Sequence, residues 1–180
     1  MRKVLLYGGA FDPPHIGHYF AACKALAVNN CRGFEELWFL PCFNDMNKNV
    51  SHHKHRLHML HLMLRDCNSS RMSICSHEIT NRITGGTYMT VKSLRRRYPD
   101  IKFMFVVGSD QMEILKTWRK YKELLETIEF FSVPRNISVS STRIREFFNH
   151  DGAVSCDYIT TRVNKYILDH NLYKGKNTCK

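Results

Sequence analysis

The chain has no run approaching the roughly 18 consecutive apolar residues that a membrane-spanning helix needs. Near its start, Val4-Leu5-Leu6-Tyr7 is stopped by Gly8-Gly9, which is too short for the core of a secretory signal although Arg2 and Lys3 precede it. No two of the seven cysteines (Cys23, Cys31, Cys42, Cys67, Cys75, Cys156, Cys179) stand in a C-x-x-C spacing, and their number is odd. That argues against a disulfide framework or a zinc ribbon and for reduced thiols in a cytoplasmic setting. Acidic residues are scarce: 16 Asp+Glu face 27 Lys+Arg, a formal charge of +11. Such a field attracts nucleic acid, anionic membrane or nucleotide phosphates without choosing among them. No repeat, low-complexity tract or linker divides the 180 residues, so one domain over 1–180 is expected, with 43% hydrophobic residues to build its core.

What is present is an alternation of short apolar runs and amphipathic stretches. Lys3–Tyr7, Glu36–Leu40, Met72–Cys75, Lys102–Val107 and Ile128–Val133 read as strands, and Asn136–Val139 as a brief extended piece. Helical period runs from Ile16 to about Asn30, with Phe20, Cys23, Leu26 and Ala27 on one face. It returns over Lys54–Arg65 through Leu57, Leu60 and Leu64, and over Thr90–Tyr98 before Pro99. Helical turns across Gln111–Leu125 follow, then Ser141–Phe148 and Tyr158–His170, giving a C-terminal helical segment of about 141–173. Cys42–His53 is a polar, irregular loop. Strands alternating with helices imply an α/β fold, a Rossmann-like doubly wound parallel sheet covered on both faces. Ligands of such folds sit beyond the carboxyl ends of the strands.

The string "YGGAFDPPHIGH" (Tyr7–His18) stands at that end of the first strand. Gly8 and Gly9 allow close backbone approach, and Pro13 and Pro14 stiffen the turn. His15 and His18 follow, three apart at a helix start whose N–H groups favour anions. Two imidazoles above such an end form a site for phosphoryl oxygens. Far downstream, "VSSTRIREFF" (Val139–Phe148) places Ser140, Ser141 and Thr142 at a second helix start, followed by Arg143 and Arg145.

The first string resembles the leading motif of the nucleotidyltransferase superfamily, shared with class I aminoacyl-tRNA synthetases. The resemblance implies attack on the α-phosphate of ATP with release of pyrophosphate, His15 and His18 binding phosphate and stabilising the transition state. The second string resembles that superfamily's other phosphate clamp, with Arg145 at the motif's arginine and Arg143 at a variable place. "VVGSDQMEILKTWRKYKELL" (Val106–Leu125) resembles nicotinate (or nicotinamide) mononucleotide adenylyltransferases. By that match Gly108 and Asp110 lie near ATP and its magnesium, and Trp118 stacks on the pyridine ring, a favourable cation–π pairing. "GGTYMTVKSL" (Gly85–Leu94) is similar to the family's substrate loop, with Thr87 and Tyr88 facing the nicotinate group. Lys48 fits the family's phosphate-binding lysine, with Lys54 in "HHKHRLHML" as its competitor. Gly8, Gly9, Ala10 and Phe11 complete the ATP-binding set, Ala10 standing where the family usually has threonine. The resemblance covers about Lys3 to Tyr173. Only Pro134-Arg135-Asn136 joins two strands where relatives carry a longer excursion, so contacts between copies in a homo-oligomer stay open.

Other signals carry less. His52, His53, His55, His58 and His61 lack a recognised tetrahedral metal spacing and read as a solvated, phosphate-facing helix start. Arg95-Arg96-Arg97 reads as the solvated face of an amphipathic helix, and no stacked-aromatic sheet pattern for RNA is present. The expected reaction joins ATP to nicotinate mononucleotide, without nucleic acid or membrane as partner. Its catalysis would be positioning plus charge stabilisation by His15, His18, Lys48, Arg145 and Mg²⁺ carried with ATP rather than in a metal cage of the protein. The alternatives are the nicotinamide substrate, phosphopantetheine adenylyl transfer, which Trp118 and "GGTY" disfavour, and a basic RNA-binding protein, which leaves both motifs unexplained. A synthetase fragment would need a Lys-Met-Ser-Lys-Ser loop, and this chain has none.

Overall fold

Alternate residues of the first strand enter opposite cores, which is why its sequence is apolar throughout. In β1 (Arg2–Gly9), Leu5 joins one buried cluster while Val4 and Leu6 join the other. The computed structural model describes residues 1–44, 50–134, 139–150 and 157–175. The sheet continues with β2 (Glu36–Pro41), β3 (Met72–Ile74), β4 (Ile101–Gly108) and β5 (Glu129–Val133). Every neighbouring pair is parallel and the order is β3-β2-β1-β4-β5. β4 divides like β1: Met104 and Val106 face the first cluster, Phe103, Phe105 and Val107 the second. Each such fully buried side chain is worth about 1.5–3 kcal/mol over exposure.

The helices are α1 (Ile16–Asn29), α2 (His53–Cys67), α3 (His77–Thr80), α4 (Thr87–Arg97), α5 (Ser109–Glu113), α6 (Tyr121–Thr127), α7 (Ser141–His150) and α8 (Thr161–Asp169). α1, α2, α7 and α8 supply the first core, α4 and α6 the second, so both faces of the sheet are covered. Among the described residues no helix is long and apolar enough to cross a membrane. Because β1 leads outward to β2 and β3 on one side while β4 and β5 lie on the other, connections diverge above the carboxyl ends of β1 and β4. That divergence opens a crevice.

Several expectations shift. β1 runs two residues further than its apolar core, taking Gly8 and Gly9 into the sheet opposite Leu40 and Pro41. α1 is rotated from the expected face: Ala22, Ala25, Leu26 and Asn29 are buried, while Phe20 is 53% exposed. Small side chains let this helix lie close to the sheet, which outweighs the larger apolar ones. α2 buries Arg56, Met59, Leu60 and Met63; of the expected face Leu60 is buried and Leu64 packs half-buried against the first core, while Leu57 is only half-buried. α4 begins at Thr87 rather than Thr90, because Gly86, in the left-handed region (φ +77), starts it earlier. The short α3 has no counterpart in the sequence reading, and the expected extension at Asn136–Val139 lies outside the described residues except for Val139.

Candidate active site

α1 begins at the crevice with His15 as its N-cap, and the two histidines stack, ring centroids 3.7 Å apart. The His15 N–H donates to His18 Nδ1 at 3.1 Å. With Nδ1 accepting, the neutral His18 ring carries its proton on Nε2, so a donor points away from the helix. The first-turn Ile16 N–H is already given to the Tyr158 carbonyl at 2.9 Å. Behind His18 lies Phe11, 5.0 Å away edge to face, itself packed on Tyr7 and Phe39.

Gly8, Gly9 and Gly17 all stand where the packing is tight. A Cβ on Gly8 would meet Phe105 Cζ at 2.5 Å, and one on Gly9 would meet the Phe11 ring from 3.1 Å. The missing side chains make room for the protein's own rings. On Gly17 a Cβ would press on both the His15 ring and Val139 at 3.0 Å, so this glycine seats the first motif against the second. Phe11 is 1% exposed with φ +51; its ring belongs to the core, and only its backbone is placed to meet a ligand.

The second motif docks directly on the first. Arg145 donates from Nη1 to the Asp12 carbonyl at 2.7 Å and from Nη2 to Thr142 Oγ1 at 3.2 Å. Ser141 Oγ donates to the Pro13 carbonyl at 2.9 Å. Ser140 caps the helix, its hydroxyl accepting the Arg143 N–H at 3.3 Å. Arg145 is half-buried and faces the crevice loop, while Arg143 is exposed. Ala10 stands in the same loop, its carbonyl accepting from Arg56 Nη1 at 2.8 Å.

Across the crevice, Gly108 ends β4 and Asp110 lies in the first turn of α5, accepting from Gln111 Nε2 at 3.1 Å. Trp118 is half-buried, nearly perpendicular to Phe105 and Phe130 at 6.3 and 6.4 Å. Thr87 opens α4. The Tyr88 ring lies at the α4–α6 seam, with Lys120 and Lys92 ammoniums 5.1 and 5.8 Å from its centroid. It lines a groove of about 740 Å³ with Lys92 and Leu125. Lys48 lies outside the described residues, and Lys54 is exposed at the start of α2. The expected solvated histidine face of α2 is partly turned inward: His55 Nδ1 is 2.9 Å from the Tyr166 hydroxyl and His58 stacks on that ring at 4.5 Å. Among the described residues no group of three or more His, Cys, Asp or Glu could hold a metal.

Three buried side chains absent from the sequence reading organise this region. Arg56 is fully buried and donates to four carbonyls at 2.8–2.9 Å: Ala10, Cys42, Phe43 and Ser51. Removing it would strand those acceptors, at about 1–3 kcal/mol for each one left buried without a donor. Asp12 is 1% exposed and accepts the Ser51 N–H at 2.8 Å and the Tyr173 hydroxyl at 2.6 Å. Glu78 accepts the Phe43 N–H at 2.9 Å and the Thr90 hydroxyl at 2.8 Å, joining the end of β2 to α4.

A family model described as cytidylyltransferase-like matches residues 6–147. The nicotinate-nucleotide adenylyltransferase of Bacillus subtilis is 32% identical over 196 residues, an alignment taking in 97% of this chain and 100% of that protein. The chain belongs to the nicotinate-nucleotide adenylyltransferase family. It is an adenylyltransferase, a nucleotidyltransferase with a Rossmann-like fold. Plasmodium falciparum nicotinic acid mononucleotide adenylyltransferase complexed with NaAD shares that fold, with a TM-score of 0.78 at 21% identity over 96% of this chain and 98% of that one. The same enzyme complexed with APC gives 0.73 at 20% identity over the same shares. In this adenylyltransferase the crevice between β1 and β4 is where both motifs meet.

Proposed function

We propose that the chain transfers AMP from ATP to nicotinate mononucleotide, yielding nicotinate adenine dinucleotide and pyrophosphate. The observation that carries this reading is the docking of the second motif on the first: Arg145 reaches Asp12, 133 residues away, at 2.7 Å above the β1–β4 divergence. A phosphate oxygen of the mononucleotide attacks the α-phosphorus of ATP. The new P–O bond forms as the bond to pyrophosphate breaks, and the electron pair leaves with pyrophosphate. The nucleophile is already anionic, so no base is needed.

His18 Nε2–H, held by the His15 amide and the stacked His15 ring, donates to the developing charge without reorganising. Arg145 and Lys48 supply positive charge to the phosphates. Gly8, Gly9, Ala10 and Phe11 contribute backbone, and Ser140, Ser141 and Thr142 the clamp. Gly108 and Asp110 border the nucleotide, and Mg²⁺ enters as part of the MgATP substrate. Thr87, the Tyr88 backbone and Trp118 receive the pyridine ring. The partners are these two nucleotides, with no nucleic acid or membrane, and the setting is the cytoplasm, where the thiols stay reduced.

Preference for the acid follows from the α4 start. The Ile83–Tyr88 stretch that leads into α4 through Gly86 has several backbone N–H groups suited to a carboxylate, while Glu78, the nearby carboxylate, is engaged by Phe43 and Thr90. Assays with ATP, Mg²⁺ and each mononucleotide should give kcat/KM at least about tenfold higher for nicotinate than for nicotinamide mononucleotide, which asks for ~1.4 kcal/mol. Equal or inverted values would overturn the acid preference.

A further inference from the structure

Asp12 sits inside the first motif, yet its carboxylate is buried and taken up by the protein's own donors. One oxygen takes the Tyr173 hydroxyl at 2.6 Å, the other the Ser51 N–H at 2.8 Å, and the residue is 1% exposed. Its backbone carbonyl meanwhile receives Arg145 at 2.7 Å. Four stretches far apart in sequence thus converge on one residue: the first motif, the start of α2, the second motif and the turn after α8.

Tyr173 is built for this contact. It is 4% exposed, holds the left-handed region (φ +70) that bulky residues avoid, and packs beside Phe148 with its hydroxyl also 3.9 Å from Met59 Sδ. Burial, and then the Asp12 carboxylate, push its phenol well above the usual tyrosine range, so it remains a donor at working pH. The 2.6 Å distance is that of a charge-assisted O–H···O bond.

We propose that Asp12 and Tyr173 are positioning residues that lock the first phosphate motif to the second, fixing His18 relative to Arg145. The proposal rests on adenylyl transfer as the reaction. Tyr173→Phe keeps the ring and removes only the hydroxyl. It should lower kcat about tenfold with both KM values within about threefold of the parent, since small misplacements of reacting groups cost rate more than binding. Combining it with Arg145→Lys, which keeps the positive charge for the phosphates but loses the bond to the Asp12 carbonyl, should cost little more than the worse single variant, because both then loosen the same lock at Asp12.

Kinetics at a temperature well below the Tm of each variant separate this from a purely structural tail. A folded Tyr173→Phe protein with kcat within twofold of the parent, or losses that multiply with Arg145→Lys, would overturn the proposal. Asp12→Asn should show the larger kcat loss; if it does not fold, Tyr173→Phe decides alone. Asp169→Ala, which removes only the surface pair with Lys165, serves as the unchanged control. Absence of transfer by the parent protein would instead overturn the assigned reaction, which keeps the two failures distinct.

Discussion

On the proposed phosphate side of the crevice, the loop from Ala10 to His15 is tied to the rest of the molecule by the buried Asp12, Arg56 and Tyr173 and the half-buried Ser141 and Arg145. On the proposed acceptor side, Trp118 and Tyr88 are half-buried rings leaning on the second core, and Glu78 between Phe43 and Thr90 is a polar tie. The difference follows the chemistry. Transition-state charge on a phosphoryl group is stabilised by donors that do not have to move, so that side is braced. A pyridine ring is bound by area and a ring face, which tolerate adjustment. Mutations on the first side should therefore act on turnover, and on the second on substrate affinity.

The largest effect should come from His18. His18→Asn places an acceptor near the Nδ1 position, keeping the contact with the His15 N–H, and deletes the donor at Nε2. Turnover should fall about 10²–10³-fold with little change in either KM, the range for losing one preorganised donor. His18→Ala should match that loss and add about 1 kcal/mol of instability from the missing cap. Near-normal turnover in the Asn variant would remove His18 from the mechanism.

Trp118 tests the other side. Trp118→Ala should raise KM for the mononucleotide about tenfold and leave kcat within a few-fold, with KM for ATP unchanged, as expected for loss of a cation–π and stacking contact. Trp118→Phe should fall between. A large kcat loss with unchanged mononucleotide KM would show that both sides of the crevice are equally braced.

The contrast also explains what could be read from the sequence. The two motifs are legible because paired histidines and a serine–arginine cluster at helix starts are not needed to fill an apolar core, and the sheet is legible from apolar runs in β1 and β4. Arg56 leaves a signal in the sequence: it falls three, four and seven residues before Met59, Leu60 and Met63, so a charged residue shares their apolar face. Tyr173 left none, since its partner is 161 residues away. The inward face of α1 is harder to read because hydrophobicity ranks Phe20 above Ala22 and Ala25, whereas the fold buries the two alanines and leaves Phe20 exposed. Gly8 read as a ligand-approach glycine because nothing local announces Phe105.

The smallest expected effect concerns the outer edge of the braced side, where α2 meets α8. His55 contacts the Tyr166 hydroxyl at 2.9 Å, with the His170 ring 5.8 Å away. Burial first, then the charges of His170, His52 and His58, lower its pKa, and Asp12 opposes them. His53 and His77 are lowered too, again chiefly by burial. A histidine whose folded pKa lies below its unfolded value of about 6.5 prefers to stay neutral in the native state. Its contribution is complete above about pH 6.5 and is lost as pH falls through the lower folded value, because the unfolded chain then binds more protons. Thermal unfolding followed from pH 7.5 to 5.5, above the range in which the carboxylates titrate, should show Tm declining on acidification. His55→Asn retains a polar group for Tyr166 but gains no proton, so its decline should be measurably shallower. A Tm that rises on acidification, or an equal slope in the variant, would show that this histidine pair does not sense pH.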